Sequence, residues 1–80
     1  MTIKKVIPRE NHTLKIVTDT GDTGILNIKP YLDYEVFQPL KEISEFMKIS
    51  NGGYFVEWDC GADLSADTIE AKMITQELAV

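Results

Sequence analysis

The sequence predicts one small α+β domain over residues 1–80, in which a small antiparallel sheet carries short helices packed on one face. Two patterns support this fold class. Apolar and polar residues alternate in segments separated by Gly-containing turns, as in antiparallel strands. In the middle and at the end of the chain, apolar residues instead recur at three- and four-residue steps, as in helices. A chain of 80 residues, 44% hydrophobic and 26% charged, is globular in composition and leaves no room for a second domain.

A three-stranded meander is predicted in the N-terminal half. Residues 3–7 alternate imperfectly, and Pro8, which has no N–H for a ladder, marks an edge position or a strand end. Residues 13–18 and 24–28 alternate more regularly. The segment that separates them contains Gly21 and Gly24 among Asp and Thr residues, a composition that favours a hairpin turn.

Residues 31–47 predict two short helices. Aromatic and aliphatic residues recur there at helical spacing, but Pro39 interrupts the pattern, and a proline ring is poorly tolerated inside a helix. We therefore expect one helical turn near residues 32–36 and a second short helix near residues 41–47. Their apolar sides should cover one face of the sheet.

The C-terminal part predicts a hairpin followed by a helix. Asn51-Gly52 between β-rich flanks is typical of a type I′ turn, with a strand over residues 54–58. Residues 68–78 have a helical pattern of apolar positions. Either Ser65 caps this helix, so that it begins at Ala66, or Asp67 caps it and Glu70 completes a capping box.

Composition limits the classes of partner. Thirteen acidic and eight basic residues give a formal charge of −5, which opposes direct binding to a phosphate backbone and would favour a basic protein partner through steering.

One cysteine cannot form an internal disulfide, and the chain has neither a signal-peptide pattern nor an 18-residue apolar run. We expect a cytoplasmic protein that does not enter membranes. Because such a small core gives marginal stability, self-association as a homodimer is also expected.

Residues 58–69, WDCGADLSADTI, raise the question of an active site. The chain's one histidine, His12, falls in a predicted turn and is expected to be a solvated loop residue, and Cys60 has no neighbouring base in sequence, so it is expected to be a buried or half-buried filler. No nucleophile–base set is evident. We therefore expect a protein that is not an enzyme.

The aspartates of the same segment do not indicate a metal site. Asp59, Asp63 and Asp67 recur every four residues, but Gly61 argues against a continuous helix, and the spacing does not match a calcium loop. We expect no metal and no cofactor. The segment is better explained as a strand end, a Gly turn and a helix cap, with Asp63 bracing the turn through backbone N–H groups.

Two stretches, GILNIKPYLDYEVFQPLKE and FMKISNGGYFVEWDCGADLSADTI, carry a resemblance to a known family. In order and spacing they resemble the bacterial family called domain of unknown function 2442, including a Trp58-x-x-Gly61-Ala62-Asp63-Leu64 signature before a helix. The resemblance implies a compact α+β domain. It also implies a protein partner, since stand-alone members are often linked to toxin–antitoxin-like gene pairs. In some relatives the domain precedes a helix-turn-helix DNA-binding unit in the same chain. Cys60 stands where relatives often have Asn, and Ala66 where they often have Pro.

The leading hypothesis is a non-enzymatic protein–protein interaction module that acts as the acidic antitoxin-like member of a gene pair. The alternative is a component of a DNA-associated transcriptional regulator that acts through a partner protein. The predicted interaction surface combines aromatic residues beyond the needs of a small core with the unexplained aspartate: Tyr31, Tyr34, Phe37, Trp58 and Asp63.

Overall fold

The fold is α+β, with two antiparallel sheets and a few short helices, and the predicted N-terminal meander is confirmed. In the computed structural model, which describes residues 1–76, the first sheet has the strand order β1-β2-β3-β7. A register shift at Lys4 makes β1 irregular near its start. The strands of this sheet are β1 (Ile3–Arg9), β2 (Thr13–Thr18), β3 (Thr23–Asn27) and β7 (Ile74–Gln76).

The second sheet contains the predicted C-terminal hairpin and one strand that the sequence pattern did not reveal. Its order is β4-β5-β6, formed by β4 (Ile49–Asn51), β5 (Phe55–Trp58) and β6 (Asp63–Ser65). The third strand alternates exposed, buried and exposed side chains, with only Leu64 facing the core. A three-residue strand with one apolar residue is too short to show a periodicity, so the sequence predicted only a strand end here.

The helices between β3 and β4 differ from those predicted. The turn expected near residues 32–36 is replaced by two 3₁₀ helices, Lys29–Tyr31 and Glu35–Lys41, and the second short helix is α1 (Ile43–Phe46). Pro39 lies inside the second 3₁₀ helix instead of separating two helices. Its fixed φ suits 3₁₀ geometry, and the bonds at the ends of this segment, from Phe37 N–H to Tyr34 and from Glu42 N–H to Pro39, do not need a proline N–H.

The last helix is shorter than predicted. Helix α2 covers Ala66–Lys72, and the chain becomes extended at Met73 and forms β7. The prediction of a helix over residues 68–78 is therefore wrong from residue 73 to residue 76, and its end at Leu78 lies outside the described residues. The adjacent β-branched residues Ile74 and Thr75 favour a strand, and this strand pairs with β3 at the edge of the first sheet. Ser65 is the N-cap: its side chain accepts from Thr68 N–H.

The turn between β4 and β5 is a two-residue turn, but the predicted type I′ turn at Asn51-Gly52 is wrong. Among residues 51–54 only Gly53 has a positive φ, of 85°, and Gly52 N–H donates to Phe55 O. Because Asn51 pairs with Val56, the two residues at the tip are Gly53 and Tyr54, and Gly53 supplies the positive φ. The Asn51 side chain hydrogen-bonds both within this turn and beyond it.

This turn joins the two sheets. Asn51 Nδ2 donates to Ile3 O at 2.9 Å, its Oδ1 accepts from Gly53 N–H at 2.8 Å, and Ile3 N–H donates to Gly53 O at 2.7 Å. Tyr54 O also accepts from Ala66 N–H at the start of α2. The start of β1 is therefore held against the second sheet by backbone and amide hydrogen bonds as well as by packing.

Trp58 lies at the centre of the core. Its side chain is 1% exposed, and its Nε1–H donates to Phe46 O at 2.9 Å. Its ring lies 5.9 Å from the Phe46 ring and 6.1 Å from the Phe37 ring, the latter edge-on. Such tilted and edge-on arrangements are favourable for aromatic pairs. The buried side chains from both sheets and the helices form one cluster around it: Ile3, Leu14, Ile16, Leu26, Ile28, Phe37, Leu40, Phe46, Val56, Ala62, Leu64, Ala66 and Ile69.

Replacing Trp58 by Phe should lower the free energy of unfolding by about 2–4 kcal/mol. The change removes the buried hydrogen bond, leaves Phe46 O without its donor and creates a cavity. Urea denaturation followed by circular dichroism would measure the loss. Tyr54→Phe is the control, because it removes a hydroxyl from a side chain that is 73% exposed and should change stability by less than about 0.5 kcal/mol. Equal stability of the two variants would contradict the central role of Trp58.

Asn51→Ala should destabilise the fold by about 1–2 kcal/mol, because it removes the side-chain hydrogen bond from the turn to Ile3 O of β1 and the one from Gly53 N–H within the turn. Asn11→Ala is a matched control, since the Asn11 amide accepts only from Thr13 Oγ1, in an exposed turn. We expect a change below about 0.5 kcal/mol for the control. Urea denaturation of both variants would compare them, and an Asn51 variant as stable as the control would show that the amide bridge is dispensable.

Candidate interaction surface

Two of the five predicted surface residues are core residues, so the surface prediction is wrong for them. Trp58 is buried as described above, and Phe37 is 7% exposed against it. Neither side chain can contact a partner while the fold is intact. Both are buried because large side chains are needed to fill the space between the two sheets and the helical segments of so small a chain. Aromatic residues supply the most buried area.

Tyr31 connects this core with the surface. Its ring is half-buried and lies 5.6 Å from the Phe37 ring. Tyr34, three residues later, is 63% exposed. Backbone hydrogen bonds from Tyr31 N–H to Ile28 O and from Tyr34 N–H to Tyr31 O fix both residues after the buried Ile28. Tyr31 ends the first 3₁₀ helix and Tyr34 immediately precedes the second, so this segment holds two tyrosines at the end of the first sheet.

These two tyrosines line an open groove of about 460 Å³, here called the tyrosine groove. It lies at the end of strands β3 and β7, and most of its lining atoms are apolar. Among the residues that the structure describes, Lys72 is the one charged side chain in the lining, and none of the lining residues is acidic. The described lining residues are Ile25, Leu26, Asn27, Pro30, Tyr31, Tyr34, Lys72 and Ile74.

Six of the lining residues of the tyrosine groove were not predicted as surface residues, among them Ile25, Lys72 and Ile74. Ile74 is 75% exposed, although the sequence placed it on the apolar side of a long helix. Ile25 belongs to β3, and Lys72 is the last residue of α2. The missing signal is tertiary: these residues come together only because β7 pairs with β3, with Ile74 directly opposite Ile25.

Asp63 is exposed but lies elsewhere. It is the first residue of β6, on the outer side of the second sheet and opposite Glu57 of β5. Its carboxylate makes no hydrogen bond or ion pair within residues 1–76, so the predicted bracing of the Gly61 turn is wrong. That turn is held by its backbone: Gly61, at φ 95°, donates to Trp58 O, and Trp58 N–H donates to Ala62 O. A glycine with positive φ ending such a short loop is a common hairpin geometry.

His12 is a structural residue, contrary to the prediction of a solvated loop side chain. It has a positive φ of 59° in the turn between β1 and β2. Its ring lies 5.0 Å from the Phe46 ring, and Nε2 is 2.8 Å from Leu40 O. This contact ties the turn to the helical segment. It also occupies the ring nitrogen that faces the protein, so His12 has a packing role.

Cys60 is exposed, and the prediction of a buried or half-buried filler is wrong. It lies in the loop of residues 59–61, between Trp58 and the Gly61 turn, where the side chain points away from the core. Across residues 1–76, no three His, Cys, Asp or Glu side chains come close enough together to hold a metal ion. In the same part of the chain, no helix is both long and apolar enough to cross a membrane.

The sequence comparison agrees with this architecture. Residues 3–75 match the model of a family described as "Protein of unknown function (DUF2442)". The chain belongs to this family. The match covers both sheets apart from Gln76, the last residue of β7, together with the four helical segments of residues 1–76. No curated protein and no solved structure matches the chain.

The Cys60 thiol should react with a thiol reagent such as dithionitrobenzoate in the folded protein, at a rate close to that of the urea-unfolded chain. An exposed thiol needs no opening of the structure before it reacts. Absorbance at the thiolate product's band would follow the reaction. Cys60→Ser should change the free energy of unfolding by less than about 0.5 kcal/mol. Protection of the thiol in the native state would contradict the exposed position.

Proposed function

We propose that this chain is a non-enzymatic protein–protein interaction module that contacts its partner through the tyrosine groove. The observation that carries the proposal is the grouping of exposed apolar side chains there. Tyr34 and Ile74 are largely exposed and adjoin Tyr31, Pro30 and Ile25. Contiguous apolar surface on a small protein marks an interaction site more often than scattered apolar residues do.

The chemistry of the groove suits a protein partner. Tyrosine offers a broad apolar ring and a hydroxyl, and it loses little conformational entropy when it is covered, which explains its enrichment at interfaces. The 3₁₀ helix and the Tyr31–Phe37 ring contact hold this part of the groove in place before binding. Preorganisation of this kind lowers the entropic cost of association.

The resemblance noted from the sequence supplies the biological context of the proposal. We infer a role as the antitoxin-like member of a small bacterial gene pair, acting in the cytoplasm. The alternative role, as part of a DNA-associated regulator, would use the same groove to contact a DNA-binding partner. The third outcome is a homodimer, in which a second copy of the chain covers the apolar groove.

The test is co-purification with a tagged chain from its native host at low salt. The wild-type chain should retain one partner in a fixed ratio, and Tyr34→Ala should reduce the retained amount by about tenfold or more, as expected for an aromatic hot spot. Tyr54→Ala is the matched control, because Tyr54 is 73% exposed and lies in the turn of the second sheet. Its loss should leave the partner in place.

Three results would decide between the roles. A toxin-like partner supports the antitoxin role, and a DNA-binding partner supports the regulatory role. Recovery of the tagged chain with copies of itself alone, under conditions that preserve weak complexes, would contradict a dedicated partner. Equal loss of partner in the Tyr34 and Tyr54 variants would contradict the groove as the contact surface.

A further inference from the structure

The first sheet has one open face. Strand β2 buries Leu14, Ile16 and Thr18, so its intervening side chains point to the opposite side of the sheet. Pairing extends this side across the neighbouring strands: Lys15 lies opposite Ile7 of β1 and Ile25 of β3, and Ile25 lies opposite Ile74 of β7. All four side chains are partly or largely exposed. A row of three isoleucines and one lysine therefore crosses the open face.

Cations flank this row. Lys5 lies opposite Val17, and Arg9 lies opposite Thr13, so both are on the open side, two residues before and after Ile7. Lys5 and Arg9 are exposed. At about 3.3 Å per residue they are separated by about 13 Å along β1, with Lys15 of the neighbouring strand between them. The three positive charges surround aliphatic side chains on a surface here called the basic face, defined by Lys5, Ile7, Arg9, Lys15, Val17, Ile25 and Ile74.

The acidic residues of the chain are absent from the strands of this sheet. Strands β1, β2, β3 and β7 contain four of the eight Lys and Arg residues and none of the thirteen Asp and Glu residues. The strands of the second sheet contain Glu57 and Asp63 and no basic residue. The strands of the two sheets thus differ in the sign of their charge, and the net charge of −5 comes from residues outside the strands. Steering toward a basic partner, which the net charge suggested, does not apply to this face.

We propose that the basic face binds an acidic protein segment rich in aliphatic side chains. This inference rests on the proposed function and names the chemistry of the partner. Carboxylates of the segment pair with Lys5, Arg9 and Lys15, while its aliphatic side chains cover the isoleucine row. Complementary potentials fix the register of such a contact and exclude partners of the wrong sign. The face continues into the tyrosine groove, because Ile25 and Ile74 belong to both.

The composition of the face favours a protein segment over other anionic partners. Proteins that bind single-stranded nucleic acid offer aromatic rings on which bases stack, whereas the central row here is aliphatic. Elements that lie in the surface of a bilayer commonly use Trp or Phe as anchors. The Trp of this chain is buried, and its three Phe side chains lie off the basic face.

The size of the face predicts weak binding. Three strand spacings of about 4.8 Å by four residue rises of about 3.3 Å give a footprint of roughly 14 by 13 Å. This is well below the roughly 800 Å² per partner of a stable complex. We expect a dissociation constant of about 0.1–1 mM for a segment that covers the face alone.

Titration of the ¹⁵N-labelled chain, followed by NMR, suits this range. The probe is a synthetic peptide of about 12 residues, long enough to cross the footprint, made of repeats of Leu-Asp-Val-Glu. We expect amide shifts concentrated at the strands of the first sheet. Three further probes are run in parallel: the peptide with Lys in place of both acids, an oligothymidylate, and phosphatidylcholine vesicles containing phosphatidylserine. None of them should shift the basic face.

Two charge-matched variants sharpen the test. Lys5→Gln with Lys15→Gln removes two cations from the basic face, and Lys41→Gln with Lys48→Gln removes two exposed cations elsewhere. Both variants have the same net charge. The first should bind the acidic peptide about three- to tenfold more weakly, as expected for two exposed ion pairs. The second should bind within about twofold of wild type.

The proposal is overturned by equal weakening in both variants, by shifts outside the first sheet, or by stronger binding of the basic peptide, oligothymidylate or vesicles. The proposed function is judged separately by the Tyr34→Ala co-purification. If that variant loses its partner while the acidic peptide fails to bind the basic face, the interaction module stands and the acidic partner does not. If the peptide binds while the wild-type chain retains no partner, the binding chemistry of the basic face stands and the proposed interaction module does not.

Discussion

The position of the Trp58 indole determines how the rest of the molecule is arranged. The ring is larger than any other side chain in the core, and its N–H must be satisfied without water. Phe46 O supplies that acceptor from the end of α1, while the Phe46 and Phe37 rings contact the indole from two helical segments. One side chain of the second sheet thereby fixes the helical region. The same region in turn holds His12 through Leu40 O and Phe46, and with it the turn of the first sheet.

A second connection, at the turn of residues 51–54, holds the two sheets against each other. Their outer surfaces carry charges of opposite sign. The Asn51 amide and the Gly53 carbonyl bond to both backbone groups of Ile3, so the start of β1 is occupied by the second sheet. The apolar sides of both sheets then share one core, and their other sides point outward. One outer side carries Lys5, Arg9 and Lys15, and the other carries Glu57 and Asp63.

The parts of the fold that depend on local chemistry were predictable. The meander, the Ser65 cap and the occurrence of short helices around Pro39 follow from alternation, capping preference and proline geometry. Three of the errors share a cause, because each depended on pairing or contact between segments that the local pattern does not show. Ile74 belongs to a strand that pairs with β3, opposite Ile25, and Leu64 belongs to a strand that pairs with β5, opposite Val56. His12 is structural through its contact with Leu40 O. The surface prediction failed at Phe37 and Trp58 because an aromatic pattern does not distinguish a core side chain from an exposed one.

Charge segregation also constrains how this chain could associate with itself. Two basic faces placed against each other by a two-fold axis would bring Lys5, Arg9 and Lys15 of one copy toward those of the other, which like-charge repulsion opposes. Contact of the basic face with the acidic outer side of another copy is attractive. However, it joins unlike surfaces and therefore produces rings or open chains of molecules instead of a two-fold dimer. A two-fold homodimer is consequently compatible with the tyrosine groove, where Lys72 is the one lining charge among residues 1–76, and not with the basic face. A partner of different sequence satisfies the basic face without such higher-order assembly.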